Sequence, residues 1–309
     1  MDRNIFVLPG GANRGIIQTA ALERLEAEIN RPLHEAVDLF VGTSVGAIVS
    51  SCLALGVEAN KAHTFLYGNC PRYFPKNNIL ARLLTGKQSL FDRKPILEDV
   101  RSLIGDVTLK DTKTGLITTA ANMNVPCLKF FKWDDPSDAD RKVIDVLSYA
   151  FAAIYYFGLI NSDADQITYG DAGAGADNNP INHAWMEVLK RGWHLEGTVS
   201  IYVFGTGHVA DDAKTPYSVS KTWKFLRQLY HGMMLASTEC ESVNLKQVKF
   251  LNDIFHSVDL HVIDAVLPSE AIGFGDTQYD DMYQSLGRDM VQRAIDSGDL
   301  TNFISRHKA

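Results

Sequence analysis

The fold of this 309-residue chain is decided by residues 37–46, which read VDLFVGTSVG. The first half of this stretch is apolar and predicts a buried strand, and the second half is rich in glycine and predicts a tight turn. An apolar helix is predicted directly after it, over 47–55. The same order of strand, glycine loop and helix occurs nearer the N-terminus, over 5–8, 10–15 and 16–29. This repetition is typical of an α/β fold with a parallel sheet.

The rest of the chain extends this pattern. Further strands are predicted over 114–120, 127–133, 167–169 and 199–204, and further helices over 94–103, 143–157, 181–189 and 282–295. We expect a three-layer α/β/α arrangement with a mostly parallel central sheet and a helical C-terminal part. Because no linker or repeat interrupts the chain, we expect a single domain over 1–309, with a core over about 5–207 and a helical region over about 215–309.

Composition limits the classes of function. The chain has 30 Lys+Arg and 37 Asp+Glu, so its net charge of −7 argues against nucleic-acid binding through a basic surface. Its four cysteines form no CxxC pair, which argues against a disulfide scaffold or a clustered zinc site. The N-terminus lacks the pattern of a signal peptide, so we expect a cytoplasmic protein. Residues 39–57 carry no charge, but glycines and hydroxyl residues interrupt them, which favours a buried strand and helix over a membrane span.

The turn after the second strand has the pattern G-x-S-x-G and contains Gly42, Ser44, Val45 and Gly46. A sharp turn from strand to helix exposes a serine hydroxyl at the carboxyl edge of a sheet, where the N-terminus of the helix favours negative charge. Ser44 is therefore a candidate nucleophile, which needs a base to take its proton. The alternative is a glycine-rich turn without chemistry.

The loop after the first strand contains Gly10, Gly11, Ala12, Arg14 and Gly15. Its successive backbone N–H groups suit an anion, either a nucleotide phosphate or the oxyanion of an acyl-transfer reaction. The spacing differs from that of the dinucleotide-binding and P-loop motifs, which favours the oxyanion hole. A third signal is Asp171, which directly follows the strand predicted over 167–169; on its own, an aspartate in a turn is the commoner interpretation.

Together these three stretches resemble the patatin-like phospholipases, serine lipid acyl hydrolases with a Ser–Asp dyad. The first family motif, D-G-G-G-x-R/K-G, corresponds to residues 9–15 (PGGANRG), and G-x-S-x-G is matched in full. The third, D-G-G/A followed by a segment such as A-N-N-P, corresponds to DAG at 171–173 and DNNP at 177–180. The chain departs from the family at Ala12 and Ala172, where glycine is usual, and at Ile154, where proline is expected.

The resemblance implies that Ser44 attacks an ester carbonyl and that Asp171 accepts the serine proton and later activates water. Gly10, Gly11 and Ala12 would hold the oxyanion, and Arg14 would brace the loop or meet a lipid phosphate. The substrate would be a phospholipid or another acyl lipid, met in transient contact with a membrane, with no metal or cofactor. His183 and His208 remain alternative bases. An acyltransferase and a catalytically weak signalling or binding protein are the alternative functions.

Two questions stay open at the level of sequence. Residues 219–251 have helical spacing, and within them 223–235 mix apolar and basic side chains, which predicts either a core helix or a segment that touches a bilayer. No feature of the sequence indicates an oligomeric state.

Overall fold

The computed structural model describes residues 2–75, 89–154, 156–174, 177–210, 242–273 and 275–309. The predicted segment 223–235, and all of 219–251 up to residue 241, lie outside these residues. Eight strands form the main sheet, in the spatial order β5-β6-β3-β2-β1-β7-β9, with β4 paired to β3. Their bounds are β1 Arg3–Leu8, β2 Leu39–Thr43, β3 Gly115–Asn122, β4 Cys127–Lys132, β5 Ile160–Ser162, β6 Ile167–Gly170, β7 Val199–Phe204 and β9 Asp259–Ile263.

Five neighbouring strands of this sheet, β3, β2, β1, β7 and β9, are parallel, and β4, β5 and β6 pair antiparallel. A separate pair joins β8 (His208–Val209) to β10 (Val266–Leu267). The helices are α1 Gly15–Ile29, α2 Val45–Ala54, α3 Ala59–Tyr73, α4 Lys94–Ile104, α5 Val143–Ala150, α6 Ile181–Lys190, α7 Trp193–Glu196, α8 over 242–255, α9 Asp280–Ser297 and α10 Thr301–His307.

Strand β1 shows why the fold has three layers. Successive side chains of a strand point to opposite faces, and all of Ile5 to Leu8 are fully buried. Phe6 and Leu8 belong to a core shared with α1, α2, α3, α5 and α9, whereas Ile5 and Val7 belong to a second core shared with α6, α7 and α8. A parallel strand that is apolar on both faces requires helices on both sides, and the predicted α/β/α arrangement is confirmed.

The C-terminal region differs from the prediction in one respect. Its described residues, 242–273 and 275–309, are mainly helical, as expected, but they also include β9, which pairs parallel with β7 at the edge of the main sheet. The alternation of Leu260 and Val262 with polar residues is short and weakly apolar, so periodicity alone does not reveal this strand.

The helix predicted over 143–157 ends at Ala150, so its C-terminal half was predicted wrongly. The chain turns irregularly after Phe151, although Phe151 and Phe157 are buried. A run of apolar residues cannot by itself distinguish a buried helix from a buried irregular segment.

The uncharged stretch 39–57 is β2, a turn and the buried helix α2, which confirms the interpretation of a buried strand and helix. Among the helices of the described residues, none combines the length and the apolarity needed to cross a membrane.

The length of β3 determines where the residue that follows β6 lies. β2 pairs with β3 only as far as Thr43 and Thr119, whereas β4 covers the opposite edge of β3 up to Asn122. The last two residues of β3 pair with β6, which therefore lies on the same edge as β2, just beyond the end of β2. Residue 171, which follows β6, therefore lies next to the turn between β2 and α2.

Helices α1 and α9 cross at Gly287, and this contact offers a test of the packing. Alanine is favoured over glycine inside a helix by about 1 kcal/mol, but a Cβ at residue 287 would overlap the carbonyl of Ile17 and lie 2.9 Å from the Cβ of Ala20. The cost of this clash with backbone exceeds the gain in helix propensity. We expect Gly287→Ala to lower the free energy of unfolding by about 1–3 kcal/mol, measured by urea denaturation. Ser285→Ala, at an exposed position of α9, is the control and should be neutral or slightly stabilising.

Candidate active site

Ser44 lies between the end of β2 and the first turn of α2, as the G-x-S-x-G pattern predicts. Its backbone angles are φ 56° and ψ −124°, a region that non-glycine residues rarely occupy and that costs about 1–3 kcal/mol. The turn is tight because neighbouring backbones almost touch. A Cβ at Gly46 would overlap the carbonyl of Leu8, and one at Gly42 would overlap the carbonyl of Gly46. These two contacts require glycine, and Val45, between Ser44 and Gly46, packs against Gly15.

Asp171 contacts Ser44, and this contact was predicted from the family resemblance. Ser44 Oγ donates a hydrogen bond to Asp171 Oδ2 at 2.6 Å, and the backbone N–H of Gly173 donates to Asp171 Oδ1 at 2.8 Å. The backbone N–H of Asp171 donates to the carbonyl of Ala152 at 3.0 Å, which fixes the start of the loop. The following residue, Ala172, is fully buried. The Ser44 hydroxyl and the Asp171 carboxylate thus form a hydrogen-bonded pair held by backbone on both sides.

Asp171 as a whole residue is only 7% exposed, and burial raises the pKa of its carboxyl group to about 6. The hydrogen bonds from Ser44 and Gly173 act in the opposite direction because they stabilise the charged form, but burial has the larger effect. A carboxyl group with such a pKa is still mostly ionised at neutral pH. It is also a stronger base than an exposed aspartate, which suits the removal of a proton from a hydroxyl.

The glycine loop at the end of β1 lies against this pair. The N–H of Gly10 donates to the carbonyl of Asn178 at 3.0 Å, and the carbonyl of Gly10 accepts from Thr206 Oγ1 at 2.9 Å. In the described residues the N–H groups of Gly11 and Ala12 have no acceptor. Ala12 adopts φ 51°, so the methyl group that replaces the usual glycine is tolerated in a left-handed conformation. Gly11 and Ala12, rather than Gly10, are therefore the available donors of the loop.

Arg14 points away from solvent and braces this loop. Its side chain is 9% exposed, and Nη1 donates to the carbonyl of Gly207 at 3.1 Å. Gln18 adds a second brace, since its Nε2 donates to the carbonyls of Pro9 and Phe204, both at 2.9 Å. The loop after β1 is thus tied to the end of β7, and of the two roles predicted for Arg14 this geometry fits the structural one.

Three contributors were missed or left unassigned by the sequence reasoning: Ala152, Asn178 and Thr206. Asn178 lies in the DNNP stretch that resembles a family segment, and Thr206 lies in the glycine-containing turn that ends the strand predicted over 199–204, which were the available signals. Ala152 contributes only its backbone carbonyl, for which a sequence carries no signal.

The two histidines that were considered as alternative bases contact other carboxylates. His183 Nε2 lies 3.3 Å from Asp177 Oδ2, and His208 Nδ1 lies 2.7 Å from Asp264 Oδ2. Within the described part of the chain, the side-chain partner of Ser44 is Asp171. No cluster of potential metal ligands occurs among the same residues.

An apolar pocket opens directly beside Ser44 and Asp171. It extends from the glycine loop between α2, α3 and α4 and the irregular segment after α5, and Ile154 is among its lining residues. Most of the remaining walls are aromatic or aliphatic side chains, namely Ile48, Phe65, Leu66, Tyr73, Phe74, Ile96, Phe151, Tyr156 and Phe157. Such a lining suits a hydrocarbon chain attached to the reacting carbonyl.

The chain is similar in sequence to several known phospholipases. The chain is 25% identical to a cGAMP-activated phospholipase of Escherichia coli (strain TW11681) over 293 residues, which cover 86% of this chain and 81% of that protein. It is 24% identical to a cUMP-AMP-activated phospholipase of Escherichia coli over 56% of this chain and 55% of that protein. It is 27% identical to Patatin-like protein 1 of Arabidopsis thaliana over 60% of this chain and 52% of that protein. The chain thus spans about half the length of the latter two relatives.

The crystal structure of VipD from Legionella pneumophila has a similar fold, with a TM-score of 0.52 and 13% identity over 96% of this chain and 67% of that one. The family model described as patatin-like phospholipase matches residues 6–185, which include Ser44 and Asp171. The chain belongs to the patatin-like phospholipase family.

Proposed function

We propose that the chain hydrolyses the acyl ester of a phospholipid or lysophospholipid, with Ser44 as the nucleophile and Asp171 as the general base. The observation that carries this proposal is the 2.6 Å hydrogen bond from Ser44 Oγ to a buried carboxylate at the mouth of an apolar pocket. The family and the phospholipases among its relatives support the reaction class. The three departures from the family motifs leave every reacting group in place, which favours an active hydrolase over a binding protein.

In the first half of the reaction, Ser44 Oγ attacks the ester carbonyl carbon while its proton passes to Asp171 Oδ2. The N–H groups of Gly11 and Ala12 and the N-terminus of α2 favour the negative charge that develops on the carbonyl oxygen. When the tetrahedral intermediate collapses, the bond to the leaving alcohol breaks and the alcohol takes the proton from Asp171. The acyl group then remains on Ser44 as an ester.

In the second half, Asp171 removes a proton from water, and the resulting hydroxide attacks the acyl carbon. Ser44 leaves with the proton held by Asp171, and the free fatty acid is released. During both steps the hydrocarbon chain occupies the apolar pocket. The lipid head group lies outside it, so the enzyme works at a membrane surface in transient contact.

Activity should depend on Ser44 and Asp171 and not on the histidines. We expect Ser44→Ala to abolish the hydrolysis of a p-nitrophenyl ester and the labelling by a fluorophosphonate probe. Asp171→Asn should lower kcat by about 10²–10⁴, the usual contribution of a general base. His183→Gln and His208→Gln are the controls and should retain activity within about tenfold. Since relatives are named for activation by cyclic nucleotides, all assays include a parallel series with cGAMP.

A wild-type protein that is not labelled under either condition would contradict the proposal of an active serine. Loss of activity in a histidine variant together with full activity in Asp171→Asn would replace the dyad by a triad.

The rate should report the ionisation of Asp171. Because the base must be ionised, kcat/KM should rise with pH around a midpoint near 6 and level off above it. The measurement is a pH profile of kcat/KM with a substrate that does not titrate in this range. A profile that is flat between pH 5 and 8, within about twofold, would be inconsistent with Asp171 as the base.

Asp171 should also destabilise the fold when it is ionised. Its pKa is 3.8 as a free group and about 6 in the folded chain, so the native state binds the proton more tightly and stability from this group falls as pH rises through that window. The shift corresponds to roughly 3 kcal/mol. We expect Asp171→Asn to raise the free energy of unfolding by about 2–3 kcal/mol at pH 8 and little at pH 4, measured in urea.

The control for this experiment is Asp289→Asn, at an exposed position of α9, which should change stability little at either pH. If Asp171→Asn stabilises the protein equally at both pH values, the effect does not come from the buried charge.

A further inference from the structure

One wall of the apolar pocket is built from chain that has no regular secondary structure. Phe151, Ala153, Ile154, Tyr156 and Phe157 line the pocket and follow the end of α5. Local turns bond part of this stretch, since the N–H groups of Tyr156, Phe157 and Gly158 all donate to the carbonyl of Ala153. The carbonyls of residues 156–159 accept hydrogen bonds from outside this stretch, and these bonds fix the position of the wall.

These four carbonyls are all bonded by the short stretch 91–93, which leads into α4. The N–H of Phe91 donates to the carbonyl of Tyr156 at 2.7 Å. Arg93 Nη2 donates to the next three carbonyls, those of Phe157, of Gly158 at 2.8 Å and of Leu159 at 3.1 Å. A single guanidinium nitrogen with two N–H groups therefore bonds three successive carbonyl oxygens, so one N–H is shared between two of them.

Arg93 lies in an unusual environment for a cation. Its side chain is half-buried, and in the described residues no carboxylate lies within ion-pair distance of it. The neighbouring carboxylate Asp92 acts on this charge only through space, and the hydrogen-bond partners of the guanidinium are the carbonyl oxygens of the pocket wall. Hydrogen bonds from a charged donor are about twice as strong as neutral ones, so this contact holds the wall more firmly than backbone N–H groups would.

The same stretch is connected to the reacting pair. The carbonyl of Ala152 accepts from the N–H of Asp171, and Phe157 packs against Phe74, Phe91 and Phe151. The wall therefore lies between Arg93 on one side and the base on the other. Residues that contact a hydrocarbon chain can select its length only when they are held in place.

We propose that Arg93 is a positioning residue that holds the pocket wall in place and thereby gives the enzyme its preference for long acyl chains. The inference rests on the proposed function, because it assigns the apolar pocket to the acyl group. Arg93 does not touch the reacting atoms. Its removal should therefore affect substrates that extend along the wall, and it should spare those whose acyl group ends near Ser44.

The test compares Arg93→Met, which keeps an apolar stem and removes every donor, with the wild type. The ratio of kcat/KM for a palmitoyl ester to that for a butyryl ester should fall about tenfold, mainly through KM. Arg93→Lys keeps the charge at the three carbonyls and should retain most of the ratio. Arg101→Ala, an exposed arginine of α4 that pairs with Asp106, is the matched control and should leave the ratio unchanged.

A purely structural role would lower both rates equally, so an unchanged ratio in folded Arg93→Met would overturn the inference. A lysine variant as impaired as the methionine variant would contradict the role of the charge. If Arg93→Met does not fold, Arg93→Leu takes its place because it also removes every donor, with the same expected loss and the same contradicting result.

A second measurement separates this inference from the proposed function. Binding of palmitate to each variant, followed by calorimetry, needs no catalysis and should weaken about tenfold in Arg93→Met. If the wild type binds palmitate about tenfold more tightly than Arg93→Met but hydrolyses no ester, with or without cGAMP, the proposed function is contradicted and the role of Arg93 is supported. Equal palmitate affinity in wild type and Arg93→Met would overturn the role of Arg93 alone.

Discussion

The structure of the site depends on keeping one carboxylate charged away from water. Asp171 is buried, and within the described residues its oxygens accept hydrogen bonds from only two donors, Ser44 and the N–H of Gly173. A small domain is stable by only about 5–15 kcal/mol, so an imperfectly compensated charge is a considerable cost. The surrounding fold holds the carboxylate in place despite this cost, because the backbone before it is fixed. β6 is paired to the end of β3, and the N–H of Asp171 is bonded to Ala152 before the side chain begins.

A second constraint is the strained backbone on the other side of the reacting centre. Two non-glycine residues that line the pocket beside each other, Ala12 and Ser44, both have positive φ. Such conformations persist only where the surroundings over-determine them. Here Thr206 and Asn178 hold the loop before Ala12, and the contact of Gly46 with β1 holds Ser44. The loop that contains Ala12 and the hydroxyl of Ser44 are therefore fixed by the ends of β1, β2 and β7 rather than by each other.

The features that could be predicted from the sequence are those with a local cause. The sequence predicts the turn at Gly42–Gly46, because only glycine fits where its backbone contacts neighbouring backbone. It also predicts β7, because an apolar run there ends in glycine. Asp171 needed the family resemblance, since nothing local distinguishes it from an ordinary turn residue. The end of α5, the strand β9 and the role of Arg93 depend on partners that are distant in the chain. The hydrogen bond from the Gly10 N–H to the carbonyl of Asn178, which leaves Gly10 out of the available donors of the loop, also depends on a partner that is distant in the chain.

The different lengths of β2 and β3 have a consequence for how this enzyme can change during evolution. The distance along β3 from its pairing with β2 to its pairing with β6 determines the position of Asp171 relative to Ser44. Each residue of a strand adds about 3.3 Å and reverses the direction of the side chains. An insertion or deletion within 119–121 would therefore separate Ser44 from Asp171 even if both residues were retained. Insertions in the surface loops would leave that distance intact, so lineages of this fold are free to vary at the periphery while this short section of one strand keeps its length.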